Sequence, residues 1–267
     1  MNDRLTRAAT LIREARLERR PLASLPEDLR PVDEPEAYRL QDVLNAQLEA
    51  AGHGRPAGFK IGCTTPVMQA FLGIPNPCSG EVFGPTVYER HGTFVASDFL
   101  RPGVECEIAV RLNRTITPSD LPASGSFSRG DVAASVASCH ASIEVVDDRY
   151  ADYHALGTPT LIADDFFNAG EVLGPARSDW QALDLAALEG RMSINGREVG
   201  RGAGRDILGH PFEALAWLAT AMARRGRTLP AGTFVTLGSL VATNWVEAGD
   251  DVLIEIEGLG QARATFR

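Results

Sequence analysis

The sequence predicts an α+β fold dominated by mixed β-sheets, with helices gathered at the N-terminus and one more before the last strands. Three observations carry this expectation. Residues 1–55 show the three-to-four-residue apolar spacing of amphipathic helices. Beyond His53-Gly54-Arg55-Pro56, short apolar stretches alternate with Gly and Pro, as strands and loops do. One long helical pattern then returns late in the chain.

Taken in order, 5–17 reads as a first helix, and a Pro-rich break over 21–35 separates it from a second over 36–51, with Tyr38, Leu40, Val43, Leu44 and Leu48 as its apolar positions. Strands are expected at 58–61, 86–88, 104–112 and 141–146. Within 191–199, Asn195-Gly196 separates two strand-like arms, and this pair suits a two-residue type I′ turn because both residues tolerate positive φ. A helix over 211–225 has Pro211 in its first turn, Leu215, Leu218, Ala219 and Met222 on one face, Arg224 and Arg225 in its last turn, and Gly226 as its stop. Strands at 233–237, 251–256 and 261–266 close the chain. The expected division is an N-terminal helical region, 1–55, and a catalytic mixed-sheet domain, 56–267, large enough to bury a sizeable core.

Composition narrows the partners. With 267 residues, a formal net charge of −9 and 44 % hydrophobic content, the chain is an ordinary globular sequence whose acidic field repels a nucleic-acid backbone or an anionic membrane. No apolar run approaches the roughly 20 residues needed to span a bilayer, and 1–20 has no signal-peptide stretch, so a cytoplasmic address is expected. Cys63, Cys78, Cys106 and Cys139 form no Cys-x-x-Cys pair; Cys63, Cys106 and Cys139 read as small core residues. The five histidines, His53, His91, His140, His154 and His210, supply no His-x-x-x-His zinc pair, and His210 reads as structural. Gly200-Arg-Gly-Ala-Gly204 lacks the immediate helix that a dinucleotide-binding loop requires.

The chemistry concentrates in carboxylates. Glu105 and Glu107 bracket Cys106, and the strand period of two puts both acids on one face and Val104, Cys106 and Ile108 on the other. Like charges about 4 Å apart repel by roughly 4 kcal/mol at an effective dielectric of 20. The simpler explanation is an exposed edge strand with an acidic face; the functional one is a bound cation. Glu144 favours the cation, because it is a single acid inside the apolar, strand-like run Ser142-Ile-Glu-Val-Val146. Three carboxylates make an all-oxygen donor set suited to Mg²⁺ or Mn²⁺, with positions left open for the carboxylate and 2-oxygen of a small 2-oxo acid. Lys60, between apolar neighbours and flanking glycines, has two readings. It is either a snorkelling surface lysine or a proton carrier facing the cation, its pKa lowered by that charge and by burial.

Five motifs then fall in an order that resembles the 2-oxopent-4-enoate hydratase and 4-oxalocrotonate decarboxylase group of the fumarylacetoacetase superfamily. They are Gly58-Phe-Lys-Ile-Gly-Cys-Thr64, Val104-Glu-Cys-Glu107, Ile143-Glu-Val-Val-Asp147 with Arg149, Gly204-Arg-Asp-Ile-Leu-Gly-His-Pro211, and Thr236-Leu-Gly-Ser239. The likeness runs from Tyr38 and Gln41 to the end of the chain. It implies a fumarylacetoacetase-like fold with a rolled mixed-sheet core, metal ligation by Glu105, Glu107 and Glu144, and Mg²⁺ or Mn²⁺ as cofactor. It also implies Lys60 in the active site, Gly238 and Ser239 as a small-residue wall beside the substrate, a substrate from the meta-cleavage route of aromatic breakdown, and a homo-oligomer.

One position departs from the family pattern. Hydratases of the group commonly carry an acid in a Pro-Asp-x-Gly stretch, where this chain has Pro77-Cys78-Ser79-Gly80, and the related decarboxylases also lack that acid. Glu81, immediately after, could supply a carboxyl group from a different direction, but reads first as a loop surface residue. The resulting expectation is a metal-dependent hydratase of 2-hydroxypenta-2,4-dienoate-type acids, with a 2-oxo acid decarboxylase as the alternative. Acylpyruvate C–C hydrolysis ranks lower, because the N-terminal helices offer no His-Glu pair, and a ligand-binding scaffold without activity is a fourth reading.

Overall fold

A computed structural model describes residues 3–267. Helix α1 (Asp3–Leu17) turns Leu5, Ala8, Ala9, Ile12 and Ala15 inward. Helix α2 (Glu34–Leu48) starts at Asp33, whose carboxylate accepts the Glu36 amide at 2.8 Å, with Pro35 in its first turn. The second helical pattern changes at Glu49 into one π-type turn, Glu49–His53, that ends where Gly52 (φ 87°) and Gly54 (φ 91°) take left-handed backbone.

Then follow β1 (Pro56–Gly62), α3 (Pro66–Leu72), β2 (Cys78–Phe83), β3 (Val87–Glu89), β4 (His91–Phe94), β5 (Pro102–Leu112), α4 (Arg129–Ala133) and β6 (Val136–Asp147). After these come α5 (Tyr153–Leu156), α6 (Thr158–Ala163), β7 (Asn168–Leu173), β8 (Glu189–Ile194), β9 (Arg197–Ala203) and α7 (Pro211–Arg224). Strands β10 (Phe234–Ser239), β11 (Asn244–Trp245), β12 (Asp251–Ile256) and β13 (Gly260–Phe266) complete the chain. Asn195 (φ 52°) and Gly196 (φ 77°) make the tight turn of the β8–β9 hairpin as expected.

The larger sheet follows the path β2-β1-β10-β5-β6-β7-β3, with β11 attached to β5. Pairing is parallel at β1–β10 and β3–β7 and antiparallel elsewhere, so the sheet is mixed. Its path has two ends and no pairing among the described residues joins them, so the sheet is not closed. A second sheet runs β4-β13-β12-β8-β9. Residues of both sheets and of α7, among them Ile108, Ile143, Ile254, Leu215 and Leu218, share one apolar core. Helices α1 and α2 share another with Cys78, Phe83, Leu161 and Phe166, which holds the helical layer against the β2 end of the large sheet.

The strands absent from the sequence expectation lack a clear strand pattern for different reasons. All six residues of β2 are buried, so it shows no polar–apolar alternation, and it includes Glu81, which is a buried strand residue and not part of a surface loop. Strands β4 and β7 are short and carry a glycine, and β6 starts five residues before the expected boundary at 141, through Ser138 and His140. Those polar residues are buried because they satisfy one another: Ser138 Oγ lies 2.9 Å from His140 Nε2, and His140 Nδ1 lies 2.8 Å from the Gly174 carbonyl.

Candidate metal and substrate site

Strand β5 lies inside the sheet between β10 and β6, which removes the exposed-edge explanation for its two acids. The β5–β6 register sets Glu105 opposite Glu144. Carboxylate oxygens of Glu105, Glu107 and Glu144 all lie within 4.8 Å of one another. Glu107 and Glu144 have no exposed surface, while Glu105 is half-buried and lines a cavity of about 440 Å³.

Each acid is held from a different element. Glu107 Oε2 accepts the Gly238 amide at 3.0 Å, and this bond depends on an irregularity in β10. The β10–β5 register shifts between Thr236 and Ser239, where Gly238 takes φ 113° and a side chain would overlap Thr64. Glu144 Oε1 accepts from Asn168 Nδ2 at 3.0 Å and pairs with Lys60 Nζ at 3.2 Å. Thr243 donates its hydroxyl to Glu105 Oε1.

Lys60 is 3 % exposed, so the surface reading fails. It reaches the cavity from β1 and donates to the Phe166 carbonyl at 2.9 Å, with its ammonium 5.1 Å from the centre of the Phe166 ring. Burial opposes its charge, but Glu144, Glu105 and Glu107 outweigh that effect and hold the ammonium above the ordinary lysine range. Burial, with Glu144 beside it, raises Glu105 to about 6, partly offset by Lys60 and Thr243. Burial and the charges of Glu144 and Glu105 push Glu107 well above the usual carboxylate range.

The sequence reading missed a fourth buried acid. Glu171 on β7 stands opposite Glu144 and is fully buried, and burial together with Glu107 and Glu144 pushes its carboxyl well above the usual range. Its signal was available: one acid in the apolar run Ala169-Gly-Glu-Val-Leu173, the pattern that singled out Glu144.

Other named residues divide. Ser239 lines the cavity, its hydroxyl donating to the Val241 carbonyl at 2.6 Å, whereas Gly238 acts through its bond to Glu107. Cys78 has no exposed surface and sits with its Sγ 3.5 Å from Cys63 Sγ, away from the cavity lining. Glu81 faces a different cavity and is held by Arg227 Nη2 at 2.6 Å and Asn45 Nδ2 at 3.2 Å. Tyr38 and Gln41 bond the backbone of β2 and α6. The Tyr38 hydroxyl accepts the Ser79 amide at 3.1 Å, and Gln41 Nε2 bridges the carbonyls of Ser79 (3.0 Å) and Ile162 (2.7 Å).

Among the described residues, Glu107 Oε1 and Glu144 Oε2 are buried with no hydrogen-bond partner. An unpaired buried carboxylate oxygen is costly, and three acids with open oxygens form a hard donor set that fits a divalent cation. Residues 79–267 match the model of the fumarylacetoacetate (FAA) hydrolase C-terminal family. The chain belongs to the fumarylacetoacetate hydrolase family. The family match opens at Ser79 in β2 and takes in all three clustered acids.

Full-length relatives extend the comparison to Lys60 and the N-terminal helices. A 2-keto-4-pentenoate hydratase of Paraburkholderia phymatum is 35 % identical over 99 % of this chain and 98 % of its own. A 4-oxalocrotonate decarboxylase of Pseudomonas putida is 30 % identical, covering all of both chains. The solved 4-oxalocrotonate decarboxylase from Pseudomonas putida, complexed with magnesium and adipate, superposes with a TM-score of 0.91 at 28 % identity over 100 % of this chain and 98 % of that one. No described helix is long and apolar enough to cross a membrane.

Proposed function

We infer that the chain is a divalent-metal-dependent hydratase of 2-hydroxypenta-2,4-dienoate-type acids, a lyase reaction of meta-cleavage aromatic catabolism, working as a homo-oligomer with no nucleic-acid or membrane partner. The observation that carries this reading is the convergence of Glu105, Glu107 and Glu144, two of them with orphaned buried oxygens, beside a cavity that Glu105 and Lys60 line. These three acids would hold Mg²⁺ or Mn²⁺. Bound there, the cation would supply positive charge against the negative charge that develops on the substrate's 2-oxygen.

The chain's own residues account for the remainder. The reaction moves the proton of the 2-hydroxyl to carbon 5, then adds water across the double bond between carbons 3 and 4, giving a 4-hydroxy-2-oxo acid. Lys60, held charged between Glu144 and the Phe166 carbonyl, is the protein group placed to hand over and recover a proton. Ser239 lines the same cavity, while the Gly238 amide fixes Glu107 in the donor set, so the acids stay in register with the substrate space.

A decarboxylase acting on 2-oxohex-3-enedioate is the second reading, favoured by the full-length likeness to the decarboxylase structure and by Cys78 at the position of the hydratase acid. Purified protein assayed with Mg²⁺ or Mn²⁺ against both acids separates the two. A 4-hydroxy-2-oxo acid from the dienoate is the expected product; release of carbon dioxide from the diacid, with the dienoate untouched, overturns the hydratase assignment.

A further inference from the structure

The cavity lining is mainly apolar. Besides Lys60 and Glu105 it includes Val67, Met68, Leu72, Phe167, Val241 and Trp245. Its volume of about 440 Å³ falls within the roughly 300–1,000 Å³ of sites that take drug-sized ligands, well beyond the need of a five-carbon acid. Lys60 is the single cation among the lining residues, and it is already engaged by Glu144 and the Phe166 carbonyl. The other charged lining residue besides Glu105 is Asp206, an anion. Arg101 stacks on the Trp245 ring at 4.1 Å from outside the lining and pairs with Asp148 at 3.4 Å. A second carboxylate on the substrate would therefore lose its water without gaining a counter-charge from the lining, where the one further charge, Asp206, is of its own sign.

The mouth gives an independent sign. Large apolar side chains are sparse on the described surface, yet Val67 (77 % exposed), Met68 (41 %) and Trp245 (41 %) all belong to this one cavity wall. Exposed apolar groups concentrated at the rim of a cleft mark a binding surface for something apolar.

Resting on the dienoate reading above, we propose that the substrate carries an apolar alkyl or aryl substituent at carbon 5, which lies along this wall, and that substrates ending in a second carboxylate are rejected. The products are the correspondingly substituted 4-hydroxy-2-oxo acids, formed with one water consumed and nothing released.

The test is steady-state kinetics with Mg²⁺ on three acids: unsubstituted 2-hydroxypenta-2,4-dienoate, its 5-propyl derivative and its 5-carboxymethyl derivative. The expected order is propyl above unsubstituted by roughly tenfold or more in kcat/KM, with the carboxymethyl acid poorest. Equal or better use of the carboxymethyl acid, or no gain from the propyl group, overturns the proposal. Met68→Arg, a change at an exposed rim position, is expected to depress the propyl acid and raise the carboxymethyl acid. If no dienoate reacts, the reaction assignment fails, and the wall is then tested by calorimetry on the Mn²⁺-loaded protein with 2-oxooctanoate and 2-oxoadipate. Tighter binding of 2-oxooctanoate supports the apolar tail; tighter binding of 2-oxoadipate refutes it.

Discussion

A carboxylate such as Glu107, with no exposed surface, two acids beside it and one oxygen unpaired, is held in place by the Gly238 amide and by the sheet on either side. Its isolation in the core is what makes it informative. Glu107→Gln keeps the shape but removes a charge. Calorimetry with Mn²⁺ is expected to show affinity reduced by roughly a hundredfold or more, with metal-dependent turnover lost; unchanged turnover would remove Glu107 from the ligand set. Lys60→Met makes a different prediction. Metal binding is expected to persist while kcat falls by about 10²–10⁴, the range for loss of a general acid or base. Undiminished kcat would return Lys60 to a structural partner of Glu144.

The site depends on irregular backbone in two elements. In β10, the register shift at Gly238 aims an amide at Glu107. Gly238→Ala puts a side chain at φ 113° and against Thr64, and is expected to lower the urea midpoint by an amount equivalent to about 1–3 kcal/mol. An unaltered midpoint would mean that the strand accommodates the methyl group and the irregularity is not enforced. Between α6 and β7, Asp165 (φ 53°), Phe166 (φ 49°) and Phe167 (φ 68°) are three consecutive non-glycine residues in left-handed backbone. Arg149 holds this turn, bonding the Asp164 side chain at 3.0 Å and the carbonyls of Asp164 (2.9 Å), Phe167 (3.3 Å) and Asn168 (2.8 Å). The result is a fixed Phe166 carbonyl under Lys60 and a Phe167 ring in the cavity wall. Such a turn has no sequence signature, because its residues are not the glycines and asparagines that ordinarily take this conformation. The Val104-Glu-Cys-Glu107 strand and the Asn195-Gly196 hairpin were legible for the opposite reason: their local patterns and their tertiary roles agree.

At the scale of the whole molecule, the helical layer is fastened to the β2 end of the large sheet by an apolar core, and Arg16 of α1 and Arg149 both pair with Asp164. His53, at the end of the turn after α2, packs edge-on against Phe83 of β2. Burial, aided by Arg16 and Arg149, lowers its pKa from 6.5 to about 4. The unfolded chain therefore binds the proton more readily than the folded one, so the stabilising contribution is complete above pH 6.5 and is lost as pH falls towards 4. Urea unfolding of His53→Gln between pH 7 and pH 4.5 is expected to show a shallower loss of stability than the parent chain; identical slopes would take His53 out of the acid response. The N-terminal helices, β5, β6 and the last three long strands could be read from periodicity, whereas β2, buried on both faces, could not. Glu81 was misplaced with β2, because the pairing that buries it, with Arg227 and Asn45, joins residues far apart in the chain.

The most direct measurement is Mn²⁺ titration of the metal-free protein by calorimetry, repeated for Glu105→Gln, Glu107→Gln and Glu144→Gln and with a 2-oxo acid present. One ion per chain, weakened in every variant and bound more tightly when the 2-oxo acid is added, is the predicted result. Full-strength binding in all three variants, or an affinity indifferent to the 2-oxo acid, would contradict a carboxylate-held cation that shares its coordination with substrate.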